Sequence, residues 1–155
     1  METAAARIQR LKKERNALIL AHYYEDGEIQ DVADFVGDSL ALAEWGEKTN
    51  HPVILLAGVV FMGESVKILS PDRTVLVPDL NAGCSLVDQS PFPKYLEWRR
   101  QYPDAICVSY VNSSAEVKSI TDVTCTSTNA EKIIRAIPED RRILVTLLRP
   151  RHIRV

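Results

Sequence analysis

An internal repeat constrains the fold of this chain more than any other feature. Adding 88 to His22, Tyr24, Glu28, Asp34 and Ser39 gives Tyr110, Asn112, Glu116, Asp122 and Ser127. Continued without a gap, the same register sets the apolar run Val53–Leu56 against Arg141–Leu144. Repeats of this kind mark units that stack and share a site between them. The first copy runs on to Asp79–Leu86, which contains Cys84. The counterpart of Cys84 would fall near position 172, beyond the last residue, Val155. The expectation is one and a half units.

The pattern within each copy alternates. Glu2–Arg15 carries Ala4, Ile8 and Leu11 at helical spacing, and Ala17–Ala21 is a short apolar run suited to a buried strand. A helix is expected over Glu28–Phe35, with Ser39 as N-cap of a second helix, Leu40–Lys48. A strand at Val53–Ala57, a helix at Gly63–Leu69 and a strand at Thr74–Val77 complete the first copy. The prolines at 91 and 93 punctuate a linker over 88–93. Beyond it the expected order is helix (Lys94–Tyr102), strand (Ala105–Val111), helix (Ala115–Ile120), extended piece (Asp122–Thr124), helix (Asn129–Ile137) and strand (Arg142–Leu147). Apolar strands alternating with helices predict an α/β fold of repeated parallel-sheet domains. The first domain is expected over 1–87 and a partial second over 88–155.

Composition narrows the function classes. A formal net charge of -2 gives no electrostatic reason for a nucleic acid or an anionic membrane as partner. No run approaches the roughly 18 apolar residues of a membrane span, and 1–15 lacks the apolar core of a signal peptide. A cytoplasmic protein is expected. Three cysteines without a close pair argue against a disulfide framework. Cys107 reads as a small buried hydrophobe, whereas Cys84 sits in the turn-like Asn81-Ala82-Gly83-Cys84-Ser85.

The candidate site residues follow strands. His22 and Tyr24 follow the first strand, and Tyr110 and Asn112 follow its repeat. Ligands in open α/β sheets bind beyond the carboxyl ends of strands. Ser39 and Ser127 each precede an expected helix, where a hydroxyl and free backbone amides suit an anion. Each serine equally suits a plain N-cap. The acidic residues from Glu25 to Asp34 read as a solvated helix face, and Asp38 stands apart beside Ser39. One cysteine cannot hold a metal cluster, which needs several thiolates.

These motifs together resemble the quinolinate synthase A family. The resemblance rests on Ala21-His22-Tyr23-Tyr24, Val36-Gly37-Asp38-Ser39-Leu40, Pro78-Asp79-Leu80-Asn81-Ala82-Gly83-Cys84-Ser85, Tyr110-Val111-Asn112-Ser113-Ser114-Ala115-Glu116 and Cys125-Thr126-Ser127-Thr128-Asn129-Ala130. It runs in order from Leu11 to Ile143. It implies three related α/β domains around a [4Fe-4S] cluster, each giving one cysteine, with Cys84 the first. It implies condensation of iminoaspartate with dihydroxyacetone phosphate to quinolinate in NAD biosynthesis, with L-aspartate oxidase supplying iminoaspartate. It implies that His22 and Ser39 hold the iminoaspartate carboxylates, with Asp38 beside them. It also implies that Tyr24 takes part in proton transfer, for which His22 is a suitable type as well, and that Tyr110, Asn112 and Ser127 line the second domain's share. Relative to that family the second domain is incomplete and the third absent. The basic stretch from Thr146 onward departs from the pattern, so a truncated or frame-shifted chain, inactive alone, is expected. A small-anion or dicarboxylate-binding module without cluster chemistry is the alternative reading.

Overall fold

The computed structural model describes residues 2–88 and 92–146 and folds the apolar runs into two parallel sheets. Two compact units divide between Gly83 and Cys84. The first contains α1 (Ala4–Glu14), β1 (Ala17–His22), α2 (Gly27–Val32), β2 (Phe35–Gly37), α3 (Ser39–Lys48), β3 (Val53–Ala57), α4 (Val60–Leu69) and β4 (Thr74–Leu76). Its strand order is β2-β1-β3-β4. The second contains α5 (Ser85–Asp88), α6 (Phe92–Gln101), β5 (Ile106–Tyr110), α7 (Ala115–Ser119), β6 (Val123–Cys125), α8 (Ala130–Ala136) and β7 (Ile143–Thr146), with strand order β6-β5-β7. Residue 87, the expected end of the first domain, lies inside α5.

Local chemistry explains the elements. The Thr3 hydroxyl accepts the Ala6 N–H at 3.2 Å and starts α1. Lys12 and Lys13 lie in its last turn, where cations oppose the helix dipole favourably. Asn16 then takes a left-handed conformation, φ 47°, and turns the chain into β1. Leu20, Leu42, Ile54, Leu56 and Val66 are fully buried between the first sheet and α3 and α4. Each such side chain contributes about 1.5–3 kcal/mol on leaving water. Gly46 lets α3 approach α4 closely, because a Cβ there would stand 2.7 Å from Val66 Cγ1.

The repeat is structural down to strand register. In the first unit Leu20, Ala21 and His22 pair with Phe35, Val36 and Gly37. In the second, Val108, Ser109 and Tyr110 pair with Val123, Thr124 and Cys125, an offset of 88 on both strands. The third strands differ. Leu18 pairs with Ile54, but its counterpart Ile106 pairs with Ile143, an offset of 89. The gapless pairing of Val53–Leu56 with Arg141–Leu144 is therefore off by one residue. The extra residue lies between β6 and β7.

One carboxylate in each unit ties the first two strands together. Asp34 Oδ2 accepts the Ile19 N–H at 2.8 Å, and the Asp34 N–H donates to the Ile19 carbonyl at 2.8 Å. Asp122 repeats the pattern on Cys107, at 2.8 and 2.9 Å. A cation from the first long helix of each unit completes the arrangement. Lys12 lies 2.8 Å from Asp34, and Arg99 lies 3.1 Å from Asp122. Another pair also repeats: Gln30 Nε2 donates to the Glu25 carbonyl at 2.7 Å, and Lys118 Nζ to the Ser113 carbonyl at 2.6 Å.

Four sequence expectations need correction. The helix expected over Glu28–Phe35 stops at Val32, because Asp34 is bound to β1 and draws the chain into β2. Asp34 is exposed, but it lies outside the helix and is bonded to β1. Asp38, not Ser39, caps α3, its Oδ1 accepting the Ala41 N–H at 2.9 Å, and Ser39 is the first helical residue. Ser127 does not adjoin a helix either, since α8 begins at Ala130 with Asn129 before it. The basic stretch over 147–155 lies outside the described residues.

Asp34→Ala and Asp122→Ala each strand a buried strand amide, which costs about 1–3 kcal/mol. Asp34→Asn keeps an acceptor oxygen and should lose distinctly less than the alanine variant. Urea denaturation of the three variants checks this, and an alanine variant as stable as the parent would contradict it.

Candidate active site at the strand ends

In the first unit the sheet's carboxyl edge gathers His22, Tyr24, Asp38 and Ser39. His22 closes β1 opposite Gly37 and is only 5% exposed. Its Nδ1 accepts the Tyr24 backbone N–H at 3.3 Å. A backbone amide can only donate, so Nδ1 is the unprotonated nitrogen and a neutral ring carries its proton on Nε2. The ring lies between two phenols, 4.3 Å from the Tyr23 centroid and 3.9 Å from that of Tyr24. Burial pushes the His22 imidazole below its ordinary value of 6.5, against the opposing pull of the Asp38 charge. The ring is therefore a neutral hydrogen-bond donor near pH 7.

Ser39 lies one residue beyond the α3 cap and is buried. Because Asp38 satisfies the Ala41 amide, the first-turn amides of Ser39 and Leu40 remain at the open end of a ten-residue helix. An anion here meets a hydroxyl, backbone amides and the positive end of the helix dipole. Asp38 itself is committed to the cap. Tyr24 is half exposed, and its hydroxyl reaches Met62 Sδ at 4.0 Å. Gly58 follows β3 directly and Met62 lies in the first turn of α4, and β3 ends at the same sheet edge. Sequence reasoning missed both. Their signal was available in their position just past a buried apolar strand.

The second unit presents a related but different edge. Tyr110 closes β5 opposite Cys125. Asn112 follows it, and its Oδ1 is buried without a hydrogen-bond partner among the described residues, as is Ser113 Oγ. Ser127 is exposed in the loop after β6. That loop is closed by Asn129 Oδ1, which accepts the Thr126 N–H at 2.6 Å, and by a 2.9 Å contact between the Thr126 and Thr128 hydroxyls. The loop thus holds Ser127 without making it a cap.

The cysteines divide by environment. Cys107 and Cys125 are buried in β5 and β6, and burial pushes both thiols up. That favours the protonated, inert form. Cys84 is half-buried. Among the described residues no three His, Cys, Asp or Glu side chains converge as metal ligands. Cys84 alone does not fit a cluster, which takes several thiolates.

A family model for the quinolinate synthetase A protein matches residues 6–147. The chain belongs to that family. It is 55% identical over 137 residues to the quinolinate synthase of Rippkaea orientalis, covering 88% of this chain and 42% of that protein. It is 56% identical over 140 residues to that of Prosthecochloris aestuarii, covering 90% of this chain and 44% of the relative. A third, from Nostoc punctiforme, is 55% identical over 139 residues, or 90% and 43%. The chain spans less than half the length of these relatives. No helix among the described residues is long and apolar enough to cross a membrane.

The buried, neutral His22 couples stability to pH. Between 6.5 and its lower folded value, the unfolded chain binds the proton that the folded one refuses. Stability should therefore fall as pH drops through that window and recover above it. His22→Gln should flatten this part of the profile when unfolding free energy is measured from roughly pH 5 to 8. A variant profile parallel to the parent's would contradict the assignment.

Proposed function

We propose that this chain carries part of a quinolinate synthase active site. The reaction is condensation of iminoaspartate with dihydroxyacetone phosphate in cytoplasmic NAD biosynthesis. The reading rests chiefly on one arrangement: a neutral His22 donor opposite Gly37, two residues before Ser39 at the open N-terminus of α3. A carboxylate placed there accepts from His22 Nε2–H, the Ser39 hydroxyl and the first-turn amides. Asp38 serves this by holding the first turn of α3 in place. Tyr24, half exposed against the His22 ring, is the group proposed to move protons. Tyr110, Asn112 and Ser127 are proposed as the second unit's contacts, with Asn112 Oδ1 offering a buried acceptor that lacks a partner among the described residues.

Cys84 is proposed as one ligand of a [4Fe-4S] cluster. The described residues do not complete that ligand set. L-aspartate oxidase is proposed as the source of iminoaspartate. The isolated thiol also keeps a second reading in play, a dicarboxylate-binding module without cluster chemistry.

Two measurements test these readings. Anaerobic iron–sulfur reconstitution of the chain alone should leave far fewer than four irons per assembled cluster site, and a cubane-type absorption band with full iron content would overturn the incomplete ligand set. Calorimetric titration with L-malate, a four-carbon dicarboxylate probe, should show binding that Ser39→Ala weakens about tenfold or more, the worth of one charge-assisted hydrogen bond. Equal binding by parent and variant would sink the carboxylate site. Cys84→Ser should leave malate binding unchanged under the module reading.

A further inference from the structure

We infer that Met62 is a positioning residue for Tyr24, holding the phenol against His22 by accepting its hydroxyl proton on a buried sulfur. The inference rests on the reading that Tyr24 works at the site. Its geometry stands independently of that reading.

Packing covers only part of Tyr24, which is 51% exposed. The ring nevertheless sits 3.9 Å from the His22 centroid at an angle of 39°. Its backbone is tied down by the bond from its N–H to His22 Nδ1. Its far end reaches Met62 Sδ at 4.0 Å. Met62 lies in the first turn of α4 and is 3% exposed, so its sulfur is fixed by the core. Tyr24 is thus held at both ends, by a strand-end backbone bond and by a helix-borne side chain.

Gly58 makes room for this arrangement. A Cβ at that position would stand 3.3 Å from Met62 Sδ and 3.7 Å from His22 Cβ. The glycine therefore lies between the two side chains that hold Tyr24. A Cβ there would be in tight contact with the sulfur, which would have to give way slightly.

The choice of sulfur has a chemical consequence. A thioether is a weak acceptor. A carboxylate or phosphate oxygen makes a shorter and stronger charge-assisted bond. The bond from the phenol to Met62 therefore gives way readily to an incoming ligand oxygen. A carbonyl or carboxylate in place of the sulfur would hold the hydroxyl too strongly for that.

The chain has two methionines, Met1 and Met62. Labelling methionine methyl groups with carbon-13 thus yields at most two signals, and the one that Met62→Leu removes is that of Met62. In the full chain without ligand, Tyr24→Phe removes only the hydroxyl and keeps the ring. The Met62 methyl resonance is expected to shift in that variant. Met62→Leu keeps the bulk and removes the acceptor, and is expected to lose the nuclear Overhauser contact between the Tyr24 and His22 rings. Selenomethionine in place of methionine should retain that contact. An unmoved Met62 methyl in Tyr24→Phe, or an undiminished ring contact in Met62→Leu, would overturn the inference. Dispersion of the remaining amide signals shows whether each variant is folded. Because no ligand is added, failure of malate binding and failure of this contact are read separately.

Discussion

A single carboxylate in each unit holds the candidate site's scaffold in register. β2 and β6 are only three residues long, too short to satisfy every amide of the strand beside them. Asp34 and Asp122 act as side-chain extensions of those strands, accepting the amides of buried Ile19 and Cys107. Without them each amide would be buried unpaired. The consequences run along the chain. The register set by Asp34 places Gly37 opposite His22, Asp38 then caps α3, and Ser39 becomes the first residue of that helix. In the second unit Asp122 leads in the same way to Tyr110 opposite Cys125 and to the loop that carries Ser127.

The two units share a scaffold and differ at its edge. Where one has His22 and Tyr24, the other has Tyr110 and Asn112. Where one has a capped ten-residue helix, the other has a loop closed on itself before a seven-residue helix. Scaffold residues are held by backbone geometry that both copies must satisfy. Strand-end residues are released from it and can specialise. The first unit supplies a neutral donor and a helix terminus suited to an anion. The second supplies uncharged phenol, amide and hydroxyl groups. The relatives in the quinolinate synthetase A family extend well beyond the region matched here.

Much of this was legible in the sequence, and the failures have physical causes. Val53–Ala57 reads as a buried strand and is β3. The repeat register of 88 reappears in the β1–β2 and β5–β6 pairing. Cys107 is buried as its apolar surroundings imply. The helix drawn through Asp34 was too long because a three-residue strand is too short to show alternation. The bonds of Asp34 escaped notice because a carboxylate gives no sequence sign of its partner, here an amide fifteen residues away. The one-residue slip in the third strand escaped notice because apolar runs match at either offset. Ser39 and Asp38 are both good caps, and only the geometry of α3 separates them.

Amide hydrogen exchange at Ile19 and Cys107 tests the central claim most directly. If Asp34 and Asp122 anchor their units, both amides are protected like those of the core strands. Each should then lose protection in its own unit's Asp→Ala variant while the other amide keeps it. Exchange at loop-like rates in the parent chain, or protection unchanged in both variants, would contradict the account.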